Sequence, residues 1–259
     1  MGTLNGNQTA LMFVYYLITR WKELGKINGK EYIVKTIVTT ETIKTIAERN
    51  GVEMYDVYTG FKWIANVMRE NEGKKNYIGG GEESYGFLCE DFVRDKDAVS
   101  ACVILAEIAA WAKDQGLSLY QLLQKIYVEY GFSKEKGISV VKKGKSGAEE
   151  IEAMMKKFRE NPLTEIAGSK VTYFYDYSTL KGKDYAENET VTLDMPTTSN
   201  VLQYFTEDNT KVSIRPSGTE PKIKFYCEVH SKVKSIDELP EAEKAAEEKI
   251  NQIKASLGI

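Results

Sequence analysis

At 259 residues the chain is longer than most single domains, so it holds one large domain or two smaller ones. An apolar fraction of 42% beside a charged fraction of 28% excludes a disordered chain. A net charge of −3 gives no pull toward nucleic acid or an anionic membrane, so neither is expected as a partner.

No stretch reaches the roughly 20 apolar residues that a bilayer span needs. The most apolar segment, Val99 to Trp111, carries Glu107 in its middle. Met1-Gly2-Thr3-Leu4-Asn5-Gly6 has neither the basic region nor the apolar core of a secretory signal. Cys89, Cys102 and Cys227 lack paired spacing, which fits reduced thiols in a cytoplasmic protein and argues against structural zinc. The single histidine, His230, is read as an exposed strand-end residue, and chemistries that need several histidines are set aside.

In chain order, Leu11, Val14, Tyr15, Ile18 and Trp21 recur at helical spacing, which predicts a half-buried helix stopped at Gly25. Ile33–Val38 reads as a strand and Thr42–Asn50 as a helix closed by Gly51. A short strand, Val52–Tyr55, precedes the loop Thr59-Gly60-Phe61-Lys62 and a helix to about Arg69. Tyr77-Ile78 runs into the loop Gly79-Gly80-Gly81-Glu82-Glu83-Ser84-Tyr85-Gly86, and helices follow over Asp97–Asp114 and Leu119–Tyr130. This alternation predicts an α/β domain, a mixed sheet flanked by helices.

From Gly131 the texture changes. A short strand, Ile138–Val141, and a helix, Ala148–Arg159, lead to strand runs at Val171–Tyr177, Thr190–Leu193, Val201–Phe205 and Lys211–Ile214. Lys222–Val229 alternates Ile223, Phe225 and Cys227 against Lys222, Lys224 and Tyr226, a half-buried strand, and a helix over Glu241–Leu257 closes the chain. The second domain is therefore expected to be α+β with an antiparallel sheet. Domains over 1–132 and 133–259 are expected.

Two resemblances to phosphate sites are discarded. Gly144-Lys145-Ser146 lacks the earlier glycine of a P-loop, with Ser139 in its place, and is read as a loop with a solvated lysine. Gly79-Gly80-Gly81 does not complete GxGxxG, because Ser84 holds the last position.

Arg215-Pro216-Ser217-Gly218-Thr219-Glu220-Pro221-Lys222 lies between two predicted strands. Arg215 offers a planar donor fork, Ser217 and Thr219 offer hydroxyls, and Gly218 lets backbone N–H groups converge on an anion. By composition alone, a polar turn serves equally well. The order of residues over these eight positions is similar, residue for residue, to the phosphate-binding loop in the C-terminal domain of α-D-phosphohexomutases of the phosphoglucomutase/phosphomannomutase type. Gly81-Glu82-Glu83-Ser84-Tyr85-Gly86 resembles the sugar-binding loop in domain 3 of the same family, and by that match Glu82 and Ser84 would contact sugar hydroxyls. Thr59-Gly60-Phe61-Lys62-Trp63-Ile64 resembles a loop that orients the sugar, making Lys62 a candidate ligand. Lys35 resembles a cleft-facing position, though a solvated strand lysine is an equal reading. Arg94 and Lys96 are read as surface charge. Lys222, closing the loop, joins Arg215, Ser217, Gly218 and Thr219 as the expected phosphate ligands.

The resemblance spans essentially the whole chain and implies domains 3 and 4 of such an enzyme, the latter a TBP-like α+β domain. The family's phosphoserine loop, Ser-His-Asn, and its magnesium loop, Asp-x-Asp-x-Asp, do not occur here. The chain is thus expected to be a fragment, with Met1-Gly2 introduced by cloning. It would bind hexose phosphate but lack turnover without domains 1 and 2, which bring the phosphoserine and Mg2+, and the reaction would pass through a sugar bisphosphate. Glucose, mannose and pentose phosphates stay open as substrates. A phosphopentomutase half and a non-enzymatic phosphosugar-binding module stand as alternatives.

Overall fold

The computed structural model describes residues 3–142, 144–218 and 220–259, leaving aside the side chain of Lys145. The chain divides into two compact units: Met1–Phe132 with Lys232–Leu239, and Ser133–Ser231 with Pro240–Ile259. The segment Lys232–Leu239, expected in the second domain, groups with the first unit.

In the first unit, β1 (Glu31–Thr36) pairs in parallel with β2 (Glu53–Val57) and β3 (Asn76–Gly81), and β3 pairs antiparallel with β4 (Phe87–Cys89). The sheet order is β2-β1-β3-β4. This is the mixed sheet expected, with two differences. Gly79, Gly80 and Gly81 lie in a strand rather than a loop, because the neighbouring chain passes too close for a side chain. A Cβ on Gly80 would stand 2.4 Å from the Val34 carbonyl oxygen. The short strand β4 carries too few residues to show an alternation.

The first helix, α1 (Gly6–Glu23), starts at an Asn5 cap. Asn5 Oδ1 accepts from the Gln8 N–H at 2.8 Å, and Gln8 Oε1 accepts from the Asn5 N–H at 3.0 Å. Every residue from Ala10 to Ile18 is buried, so α1 is wrapped all round rather than half-buried. It packs against α2 (Thr42–Arg49), β3, α4 (Ala98–Asp114) and α5 (Leu119–Tyr130). Glu107 of the apolar α4 accepts a 2.6 Å hydrogen bond from Tyr16 Oη, while Val99, Cys102 and Val103 face outward. Helix α3 (Phe61–Asn71) places Phe61, Ile64, Val67 and Met68 against Tyr32, Val34, Val57, Tyr77 and Leu88 of the sheet. That contact anchors the turn before α3, which matters for the site.

The second unit is built on a sheet of order β5-β12-β11-β10-β7-β8-β9, with β6 paired to β7. The strands are β5 (Phe132–Val141), β6 (Glu165–Ile166), β7 (Ser169–Asp176), β8 (Lys181–Asp184), β9 (Glu189–Thr192), β10 (Leu202–Thr206), β11 (Lys211–Pro216) and β12 (Lys222–Ser231). The pairings from β12 through β9 are antiparallel, as expected. Strands β6 and β8 escape the sequence reading because Glu-Ile and Lys-Gly-Lys-Asp carry no apolar alternation.

Helices α6 (Gly144–Glu160) and α7 (Leu239–Leu257) complete the unit. Gly144-Lys145-Ser146 forms the first turn of α6, not a loop. Buried Ile223, Phe225 and Cys227 alternate along β12 as predicted, and Phe225 meets Phe158 of α6 with ring centroids 6.4 Å apart. Glu228 breaks the alternation, being buried where a solvated residue was due.

Candidate functional site

Residues 82–86 form the loop of the β3–β4 hairpin, whose last pair is Gly81 with Phe87. The Glu82 N–H donates to the Gly86 carbonyl at 2.8 Å and closes the loop. Glu82 Oε1 accepts the Gly60 N–H at 2.8 Å, tying this loop to the turn that opens α3. Gly60 holds that turn with φ +111°, a left-handed conformation that favours glycine. A Cβ on Gly86 would lie 2.8 Å from Glu82 Oε2 and 3.1 Å from Lys96 Cδ, so the glycine leaves room for both side chains beside the loop. The Lys96 ammonium stands 5.8 Å from the Phe61 ring centre. Glu83 Oε2 accepts from Thr36 Oγ1 at 3.2 Å, and Ser84 is exposed at the tip.

Lys62 is exposed, its ammonium 4.9 Å from the Trp63 ring centre. It lines a hollow of about 370 Å³ with Asn66, Arg69 and Arg94. Lys35 differs from the cleft-facing expectation. Its side chain is 1% exposed, with the ammonium 2.9 Å from Glu41 Oε1 and 2.7 Å from Asp56 Oδ1. On the central strand of a sheet covered on both faces, a lysine has nowhere to go but into such a pairing.

The second candidate loop joins β11 to β12. The Ser217 N–H donates to the Lys222 carbonyl at 2.8 Å, and Ser217 Oγ accepts from the Glu220 N–H at 3.3 Å. Lys222 pairs with Glu220, which holds the Glu220 carboxyl below its ordinary range. Arg215 sits directly opposite Lys224 in the β11–β12 register. Like charges at such a pair repel, and among the described residues neither has a carboxylate at ion-pair distance. The pair is thus set to attract an anion. Lys224 was assigned no role from sequence; only the register reveals it. Gly218 is exposed in this loop, and the expected ligand Thr219 lies outside the described residues.

His230 is not the exposed residue expected. It is half-buried, with Nε2 2.8 Å from Glu228 Oε1, while Lys211 Nζ stands 3.0 Å from Glu228 Oε2. Burial alone would raise the Glu228 carboxyl, but Lys211 and then His230 hold it well below the carboxylate range. Burial alone would lower His230, and the Glu228 charge reverses that and raises it. This triad is an internal ion cluster in which one carboxylate faces two basic groups. Among the described residues no group of three or more His, Cys, Asp and Glu is placed to hold a metal ion.

A parallel-centred α/β unit presenting a carboxylate–hydroxyl loop, followed by an antiparallel unit presenting a cationic loop, makes this a two-domain protein of the α/β plus α+β class. Comparison with known proteins agrees. Residues 5–130 match the family model for phosphoglucomutase/phosphomannomutase alpha/beta/alpha domain III, and residues 139–246 match that for the C-terminal domain. The chain belongs to the phosphoglucomutase/phosphomannomutase family, of which it carries these two domains.

A phosphoglucomutase of Staphylococcus aureus (strain bovine RF122 / ET3-1) is 38% identical over 222 residues, covering 86% of this chain and 39% of the relative. One from Staphylococcus haemolyticus (strain JCSC1435) is 34% identical over 225 residues, covering 87% and 40%. The chain therefore spans about two fifths of the length of these curated relatives. Among solved structures, the Paramecium phosphoprotein pp63/parafusin, a phosphoglucomutase in an open form, shares the fold at a TM-score of 0.57 and 17% identity. That match covers 90% of this chain and 38% of the other. A phosphoglucomutase/phosphomannomutase family protein from Burkholderia thailandensis matches at a TM-score of 0.56 and 16% identity, covering 98% and 42%.

Proposed function

We propose that the chain is the sugar- and phosphate-binding part of a phosphohexomutase that interconverts hexose 1-phosphate and hexose 6-phosphate through a bisphosphate. The observation that supports it most is the cross-strand pair of Arg215 and Lys224 beside the Ser217-Gly218 turn. In this reading Arg215 and Lys224 supply charge to the phosphate, and Ser217, Gly218, Thr219 and Lys222 supply hydroxyl, amide and ammonium donors. Glu82 accepts from sugar hydroxyls through the oxygen that Gly60 does not engage, and Ser84 either donates or accepts. Lys62 reaches a sugar oxygen, whereas Lys35 shapes the sheet beneath the site and touches no substrate.

Fixing the phosphate that is not transferred places the other end of the sugar for reaction, which is catalysis by positioning. The phosphoserine and the magnesium would come from the two domains that precede domain III in a family-length chain, and those domains are the expected partners. In this reading the protein works in the cytoplasm. The chain alone is expected to bind sugar phosphate without turnover.

Calorimetric titration with glucose 6-phosphate and with inorganic phosphate tests the reading. Arg215→Ala should weaken both about tenfold or more, and Glu82→Gln should weaken only the sugar phosphate. Absence of binding by the parent at millimolar ligand, or equal losses for both ligands in both variants, would overturn it.

A further inference from the structure

The sugar loop has a brace that the proposed chemistry does not use. Tyr85 lies between Ser84 and Gly86 with φ +71°, a left-handed conformation uncommon for residues that carry a Cβ. A glycine would take this conformation without strain, so the side chain must contribute something in return. The residue is 61% exposed, so packing is not the main gain. Its Oη donates a 3.0 Å hydrogen bond to the Leu4 carbonyl, immediately before the α1 cap.

The first turn of α1 presses on the same loop. A Cβ on Gly6 would lie 1.8 Å from the Glu83 carbonyl oxygen and 2.9 Å from the Tyr85 nitrogen, so only glycine permits this approach. The turn is itself stiff. The Asn5–Gln8 capping box closes it, and Asn7 Oδ1 accepts the Thr40 N–H at 3.0 Å. Opposite, the Gly60 N–H holds Glu82. The loop is therefore clamped on both flanks, while Ser84 at the tip is exposed and its hydroxyl can rotate.

We infer that Tyr85 and Gly6 are positioning residues for the sugar loop, holding its backbone against the N-terminal turn of α1 so that Glu82 and Ser84 stand ready for a sugar. The inference rests on the proposed sugar-binding role of those two side chains. A fixed backbone under a rotatable hydroxyl suits a ligand presented in two orientations, because the loop need not reorder for either one.

Amide hydrogen exchange on the whole chain tests the brace without any ligand, and titration tests its use. In Tyr85→Phe, which keeps the ring and loses one hydrogen bond, exchange at the Glu82 and Gly60 amides should rise two- to tenfold. Exchange in β1 and the midpoint of thermal unfolding should not change. Glucose 6-phosphate affinity should fall by a similar factor, with inorganic phosphate unaffected. Gly6→Ala should raise exchange at the same amides more strongly and also lower the unfolding midpoint, because its Cβ would meet the Glu83 carbonyl oxygen at 1.8 Å. Unchanged exchange at Glu82 and Gly60 in Tyr85→Phe, or a rise spread evenly over the first unit, would overturn the inference. If the parent itself fails to bind glucose 6-phosphate, the sugar-site reading falls, and the exchange result still decides whether the brace exists.

Discussion

Replacing Lys35 by methionine separates a structural lysine from a substrate ligand. The substitution keeps the volume and removes the charge, leaving Glu41 and Asp56 facing the vacated position from 2.9 and 2.7 Å. Breaking a buried ion pair costs about 3–5 kcal/mol. Here the carboxylates retain 24% and 37% exposure, so water screens part of their repulsion and the lower figure, about 3 kcal/mol, applies. With a urea slope of about 2 kcal/mol per molar, the midpoint should fall by about 1.5 M. Trp21, Trp63 and Trp111 all lie in the first unit, so tryptophan fluorescence reports its unfolding. Adding Asp56→Asn should restore part of the loss, because one of the two negative charges facing the methionine is then gone. A Lys35→Met protein of parental stability that no longer binds glucose 6-phosphate would refute the reasoning and return Lys35 to the ligand set.

The Glu228–His230 pair gives a pH dependence of defined sign. A raised histidine pKa adds stability fully below its unfolded value of about 6.5, and loses it as pH rises through the folded value. The depressed Glu228 adds stability above the ordinary carboxylate range and loses it in strong acid. His230→Ala should therefore lower the second unit's urea midpoint at pH 6 and have a smaller effect at pH 9; the reverse order would contradict the assignment. Gly80→Ala should destabilise the first unit by about 1–3 kcal/mol, read by calorimetry, because its Cβ would crowd the Val34 carbonyl and the Tyr77 hydroxyl. Cys89 and Cys227 are buried with their thiols pushed up to about 12, whereas Cys102 is exposed. One thiol should thus react quickly with a disulfide reagent in the native chain, and Cys102→Ser should abolish that fast phase.

What the sequence disclosed follows the range of the interactions involved. The loop from Arg215 to Lys222 was legible as a candidate because the eight residues that carry its resemblance are contiguous. The opposition of Arg215 and Lys224 was hidden until the strand register was known. Glu82 was legible as a candidate through the resemblance of its loop, but its bond to the Gly60 N–H joins residues far apart in the chain and leaves no local signature. Helical periodicity located α1 correctly and underestimated its burial. A period shows which face is apolar, not how many neighbours cover the helix. The same blindness affected Lys35 and Glu228, whose partners lie on other strands or loops. Gly79-Gly80-Gly81 read as a loop because glycine favours turns, whereas here it marks a close passage of strands.

The sheet of the second unit places its first strand beside its last. Phe132–Val141 hydrogen-bonds to Lys222–Ser231, some 90 positions later, and the closing helix comes later still. Contacts of such long sequence separation require loop closure before they give any return, and they slow folding. On the ribosome, β5 must wait through most of the unit's synthesis with both edges unpaired, including the edge that β12 later covers, which is open meanwhile to pairing with other chains. Its sequence, Phe-Ser-Lys-Glu-Lys-Gly-Ile-Ser-Val-Val, sets charges and a glycine along the first half of that edge. These are features that discourage a waiting strand from pairing with another chain.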